Sequence, residues 1–246
     1  MISAFAERLR ETLGECLVGM YLGGSFSMGD FVEGVSDYDV LVLVADPLQA
    51  ADLTALATMH EQLLRDHRDA ERLEGDYVAR EWLTPEGTRE AVPWFRRGRL
   101  QEQPAFMLSA DNIANFRSDG IVVLGSRAAD VLPAVHPDQV RAAVRVMLGN
   151  TKVCATEGKA ADEILALLRS MRALETGAPT TKTDGLRWGF AHLDVSWHPV
   201  LHRADAVRQG TTVGADDDTL RRGIDALRTL LLPSVEVHGA PPHPRA

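Results

Sequence analysis

The sequence predicts an α+β domain, a small mixed sheet with helices, over residues 1–131, then an all-α helical-bundle domain over residues 132–234. Three observations carry this. In the first half, short apolar β-branched runs alternate with stretches of helical periodicity. Past Pro137 the periodicity is helical throughout, interrupted at Gly177-Ala178-Pro179 and Gly210. Pro133 and Pro137 punctuate the passage between the two.

In chain order, residues 2–14 read as an amphipathic helix with Ile2, Phe5, Leu9 and Leu13 on one stripe. Residues 16–22 are apolar enough for a first strand, which Gly23 and Gly24 break. Residues 25–30 are expected to start a short helix. A second strand opens at Asp37-Tyr38-Asp39 and runs through Val44, where Asp46-Pro47 ends it. Residues 48–67 place Leu53, Leu56, Met59, Leu63 and Leu64 at helical spacing, and residues 73–82 form a third strand. Residues 84–107, broken by Gly87, Pro93, Gly98 and Pro104, are expected to be a loop or hairpin. Ser109 caps a helix over 109–119, and 121–124 is a short strand. Helices follow over 138–148, 160–174, 183–193, 199–208 and 218–232, and residues 235–246 are expected to form a disordered tail.

Composition is that of a soluble globular chain: 45% hydrophobic and 25% charged residues over 246 positions. A net charge of −9 argues against a nucleic-acid partner, which calls for a basic face, and suits a cationic small molecule. No apolar run reaches the roughly 18 residues that span a bilayer, and the N-terminus lacks a signal-peptide core. No membrane partner and a cytoplasmic location are therefore expected. Cys16 and Cys154 fit no zinc or redox spacing and read as reduced, packed thiols.

The chemistry concentrates between Met20 and Val44. Gly23-Gly24-Ser25 follows a strand, and glycine lets backbone approach a phosphate closely. Asp37 and Asp39 sit at i and i+2 of the next strand, so their carboxylates share a face, as a pair binding a hard divalent cation does. Gly24, Ser25 and Ser36 are the nucleotide-binding candidates here. Asp37 and Asp39 are the candidate ligands of Mg2+. A third acid, as base or last metal ligand, is sought among Glu71, Glu74, Asp76 and Glu81. Alternation puts Glu74 and Asp76 on one face; Glu74 is preferred, and Asp76 fits almost as well.

Gly-Ser, a spacer, then Asp-x-Asp at the head of an apolar strand resembles the signature of the polymerase-β-like nucleotidyltransferase superfamily. A closer resemblance is to aminoglycoside adenylyltransferases of the streptomycin/spectinomycin type, which join such a domain to a C-terminal helical one. Leu73-Glu74 resembles that family's Leu-Glu, whose glutamate is the catalytic base. Arg169, followed by Leu174-Glu175-Thr176-Gly177 and then Lys182, resembles its phosphate-binding arginine and lysine. Asp184 and Trp188 are similar to the stretch that follows. The resemblance implies that Asp37, Asp39 and Glu74 bind Mg2+ and act in catalysis. It also implies that Gly24, Ser25, Ser36, Arg169 and Lys182 bind ATP, and that AMP passes to a hydroxyl of a small polar acceptor.

The chain departs from the family upstream of Arg169. Where acids and a tryptophan bind the drug there, residues 150–159 carry two lysines and one acid, Glu157. Glu157, Asp162 and Glu163 are the acids left to meet a cation. Two alternatives stay open: AMP transfer to a protein, as in antitoxin-type nucleotidyltransferases, and a non-catalytic nucleotide-binding module. His192, His198 and His202 read as polar helix-face residues, Trp188 and Trp197 as helical core or cleft wall, and Asp216-Asp217-Asp218 as a helix N-terminal cluster.

Overall fold

The computed structural model describes residues 1–106, 108–150, 157–211 and 219–232. The expected tail, the Asp216–Asp218 cluster, Cys154 and the Glu157 side chain lie outside that description. The chain forms two compact units: Met1–Phe31 with Ser36–Val135, and the residues after Val135 together with Val32–Val35. The expected fold class holds: a mixed sheet with helices, then helices alone.

In the first unit the chain runs α1 (Ile2–Leu13), β1 (Leu17–Leu22), α2 (Gly24–Ser27), β2 (Tyr38–Val44), α3 (Ala50–Asp66) and β3 (Leu73–Ala79). It continues through β4 (Leu83–Thr84), β5 (Gly87–Thr88), β6 (Trp94–Arg96), β7 (Arg99–Leu100), α4 (Ala110–Asp119), β8 (Ile121–Leu124) and α5 (Ala128–Val131). The main sheet has the order β7-β6-β3-β2-β1-β8, and β4-β5 form a separate two-stranded ribbon. β2 and β3 run parallel, connected through α3, and every other neighbouring pair in the main sheet is antiparallel.

β2 reads as a nearly unbroken apolar run because both of its faces are covered. Val40, Val42 and Val44 join Tyr77, Phe95 and the helices α1 and α3 in one core. Leu41 and Leu43 join Tyr21, Val78 and Ile113 and Phe116 of α4 in a second. The sheet is therefore the middle of three layers.

Of the loop or hairpin expected over 84–107, the structure has the hairpin. β6 and β7 form a hairpin that widens the main sheet, turned by Arg97 and Gly98, both at positive φ (50° and 66°). A two-residue turn of that kind matches strand twist. Gly98 is also required by space, since a Cβ there would stand 2.3 Å from the Ala70 carbonyl oxygen. The hairpin is tied to α3 by His60, which is 1% exposed. The His60 Nδ1 lies 3.0 Å from the Gly98 carbonyl and its Nε2 lies 2.7 Å from the Tyr77 hydroxyl. Burial among Phe5, Tyr77 and Phe95 pushes the imidazole pKa down to about 4, so the ring is neutral.

The second unit comprises α6 (Pro137–Asn150), α7 (Glu157–Thr176), α8 (Lys182–His192), α9 (His198–Arg208) and α10 (Thr219–Leu231). α7 is central and packs against the other four. Ile164, Leu165 and Leu168 of α7 are buried, as are Leu220, Ile224, Leu227 and Leu231, one stripe of α10.

His60→Ala leaves the Gly98 carbonyl and the Tyr77 hydroxyl without their partner and opens a void. It should cost about 2–4 kcal/mol in denaturant unfolding at pH 7. The folded pKa near 4 lies below the unfolded value of 6.5, so between these values only the unfolded chain takes up the proton. The wild type should lose stability as pH falls from 6.5 towards 4, and the variant should lack that part of the acid slope.

Candidate active site

The site is assembled where β1 ends. Gly23 donates its amide to the Asp39 carbonyl at 2.9 Å, which ties the glycine turn to the head of β2. Gly24 adopts φ +58°, and a Cβ on it would stand 1.7 Å from Asp39 Oδ2. Only glycine fits, both for its dihedral and because the Asp39 carboxylate lies against its Cα. The Gly24 amide donates to Asn115 Oδ1 at 2.6 Å. That amide is therefore engaged inside the protein rather than open to a phosphate. Ser25 is half-buried in the first turn of α2, and its carbonyl accepts the Asp30 amide at 2.9 Å.

Ser36 and Asp37 lead into β2. The Ser36 carbonyl accepts from both Nε and Nη2 of Arg72, at 2.9 and 2.7 Å. The Arg72 guanidinium lies 5.0 Å from the ring centroids of Phe31 and Tyr38, and Phe26 packs on both rings. This clasp fixes the end of the loop from which the acids emerge.

The parallel register sets Asp39 opposite Glu74 and Leu41 opposite Asp76. Gly75, between the two acids, has no room for a side chain: a Cβ would meet the Val40 carbonyl at 2.0 Å. Asp37, Asp39, Glu74 and Asp76 thus crowd one sheet face. The Glu74 pKa is raised by burial, pulled back by Arg96, whose Nε lies 3.5 Å from Oε1, and raised further by Asp37. The Asp76 carboxyl, 9% exposed, is pushed up to about 7 by burial, then by Glu74 and Asp39, and its Oδ1 has no hydrogen-bond partner. Of the other acids considered for the third position, Glu71 falls in a 3-10 turn before β3 and Glu81 in one after it.

These residues fit a divalent cation. Carboxylates from two adjacent strands are brought together. The pKa values of Glu74 and Asp76 are raised first by burial and, to a smaller extent, by neighbouring carboxylates, a combination that a bound cation would relieve. Among the described residues, no group of three or more His, Cys, Asp or Glu is already arranged to hold a metal ion; Mg2+ draws part of its shell from water and phosphate oxygens.

Arg169 and Lys182 belong to the second unit. Gly185 lets α8 press on α7 at Arg169, since a Cβ there would lie 2.4 Å from the Arg169 backbone nitrogen. Gly189, one turn on, faces the Leu168 side chain, whose Cδ2 would lie 3.1 Å from a Cβ there. Lys182 is the first residue of α8, and its Nζ pairs with Asp162 at 2.8 Å. Glu163 pairs with Arg228 at 3.7 Å. Asp162 and Glu163, expected to be available to a cationic ligand, are thus engaged within the helices. His192 stacks on Trp188, and His198 and His202 both pack on Phe190. Trp188 and Trp197 are half-buried rather than core. Asn115, Arg72 and Arg96 are the residues that sequence reasoning did not select.

Residues 2–84 match the model of the nucleotidyltransferase domain, and residues 130–231 match that of the aminoglycoside adenylyltransferase C-terminal domain. Among solved structures, the chain is similar to spectinomycin adenyltransferase AAD(9) from Enterococcus faecialis, solved with ATP and spectinomycin. That similarity covers 93% of this chain and 96% of the other, with a TM-score of 0.74 at 18% identity, and is a likeness of fold. No curated protein sequence matches the chain. Among the described residues, no helix is long and apolar enough to cross a membrane.

Asp76→Asn tests the crowding directly. With the folded carboxyl near 7 and the unfolded one near 3.8, ionisation costs stability progressively as pH rises between those values, and fully above 7. In chelator, the variant should melt about 5 °C or more above wild type at pH 8 and close to it at pH 4.

Proposed function

Since the chain belongs, by its two matched segments, with the nucleotidyltransferases of aminoglycoside adenylyltransferase type, we propose that it transfers AMP from ATP to a hydroxyl of a small polar acceptor, releasing pyrophosphate. The observation that carries this reading is the register of Asp39 with Glu74 beside the Gly24 turn. It brings the Asp39 and Glu74 carboxylates together beside the glycine turn, the grouping that a metal-assisted transfer calls for.

Asp37 and Asp39, with Glu74, would hold Mg2+, which when bound would neutralise triphosphate oxygens and favour in-line attack. Glu74 accepts the proton of the acceptor hydroxyl. Its pKa, raised by burial against the pull of Arg96 beside it, makes it a better base than a solvated glutamate. Ser25 and Ser36 contribute to nucleotide binding from either side of the acids. Arg169 and Lys182, by their resemblance to the family's phosphate-binding pair, are the proposed sources of positive charge for the phosphates. Lys182 exchanges Asp162 for phosphate at little cost, because a partly exposed ion pair contributes about 0.2–1 kcal/mol.

The acceptor proposed is an aminoglycoside or related aminocyclitol such as streptomycin or spectinomycin. The acidic face formed by Asp39, Glu74 and Asp76 favours a cationic molecule, and the structurally similar AAD(9) was solved with spectinomycin.

Pyrophosphate release with Mg-ATP across a panel of aminocyclitols is the test. Glu74→Gln should lower kcat by about 100-fold to 10,000-fold. Asp37→Asn and Asp39→Asn should abolish turnover, and Asp76→Asn should stay within about tenfold of wild type. Loss in Asp76→Asn with retention in Glu74→Gln would move the base to Asp76. AMP-modified protein in a lysate, with no turnover on the panel, would make the acceptor a protein.

Lys182→Ala and Arg169→Ala should each raise KM for ATP by about tenfold, with a smaller change in kcat. An unchanged KM in both would remove them from nucleotide binding.

A further inference from the structure

The glycine turn is clamped from two sides, and only one side carries an acid. Opposite Asp39 stands α4. A Cβ on Gly23 would meet Phe116 Cε1 at 2.5 Å and Asn115 Oδ1 at 2.9 Å. Asn115 Oδ1 takes the Gly24 amide at 2.6 Å, across 91 residues of sequence. Asn115 is 6% exposed, and its Nδ2 is buried with no hydrogen-bond partner. A carboxamide placed for stability alone would have both ends satisfied, since an orphaned buried donor is destabilising. Here one end is left orphaned and the other makes a short bond to the residue that carries the Asp39 carboxylate on its Cα. Asn115 lies on α4, between the two family-matched segments of the chain.

We propose that Asn115 is a positioning residue for Asp39: by holding the Gly24 amide it fixes the left-handed conformation of that glycine, against which the metal-binding carboxylate rests. The chain of contacts is short and complete. Asn115 Oδ1 fixes the Gly24 nitrogen, the Gly24 Cα forms the floor under Asp39 Oδ2, and the Gly23 amide holds the Asp39 carbonyl. Release of the first contact frees the turn to rotate about Gly24, which has no side chain to resist it. The carboxylate then loses its floor while β2 keeps its ladder. The inference rests on Asp39 being a metal ligand, as in the proposed function.

The test uses the full chain and two substitutions. Asn115→Asp keeps an oxygen to accept the Gly24 amide, and Asn115→Ala removes it. Mn2+ affinity, measured by electron paramagnetic resonance on protein without acceptor, should fall about tenfold in Asn115→Ala and stay within about threefold in Asn115→Asp. Under turnover, Asn115→Ala should lower kcat by tenfold or more while KM for ATP moves less than threefold, and Asn115→Asp should restore most of kcat. Should the alanine variant melt below the assay temperature, Asn115→Ser takes its place in the same comparison. Equal Mn2+ affinity in a folded alanine or serine variant and in wild type overturns the positioning role and leaves the proposed function standing. A loss of Mn2+ affinity that Asn115→Asp does not rescue overturns it too. Absence of Mn2+ binding in wild type overturns both the inference and the metal assignment it rests on.

Discussion

The parallel pairing of β2 with β3 is the constraint on which the site depends. It sets Asp39 beside Glu74 and places Asp76 one step further along the same face. Like charges are thereby held together by backbone hydrogen bonds that they cannot loosen. The sheet can impose this because both of its faces are covered, by α1 and α3 on one side and α4 and α5 on the other. The apolar layers stabilise the strand pair, and the strand pair confines the carboxylates. The raised pKa values of Glu74 and Asp76 reflect first the burial that these layers impose and then the neighbouring carboxylates.

Most of this frame was legible in the sequence. The alternation in Leu73-Glu74-Gly75-Asp76-Tyr77 assigned Glu74 and Asp76 to one face and Leu73 and Tyr77 to the other, and the cores confirm that division. Strand periodicity is a local property, so β1, β2 and β3 could be read from the chain. What local pattern cannot carry is pairing between distant segments. The Asn115 bond to Gly24, the Arg72 bonds to Ser36 and the Arg96 approach to Glu74 each join residues far apart in sequence. The β6–β7 hairpin was ambiguous for a different reason: its strands are too short for alternation to show, and its turn uses a non-glycine residue at positive φ.

The helical unit shows the same limit. Gly185 and Gly189, four residues apart, read as weak points in a helix. Instead, Gly185 lets α8 meet the α7 backbone at Arg169, and Gly189 makes room for the Leu168 side chain. The pairings of Lys182 with Asp162 and Glu163 with Arg228 likewise connect separate helices. Charge counting along one segment gave no sign that these acids were already engaged.

The double clasp at the foot of the acidic strand has a consequence for the loop it closes. The Gly23–Asp39 hydrogen bond closes the loop between β1 and β2, and Arg72 with its aromatic neighbours grips the loop's final residues. Once both ends are fixed, extra residues in between add only a slowly growing closure entropy. The register of the carboxylates is thus set by the two clasps and not by the length of chain between them.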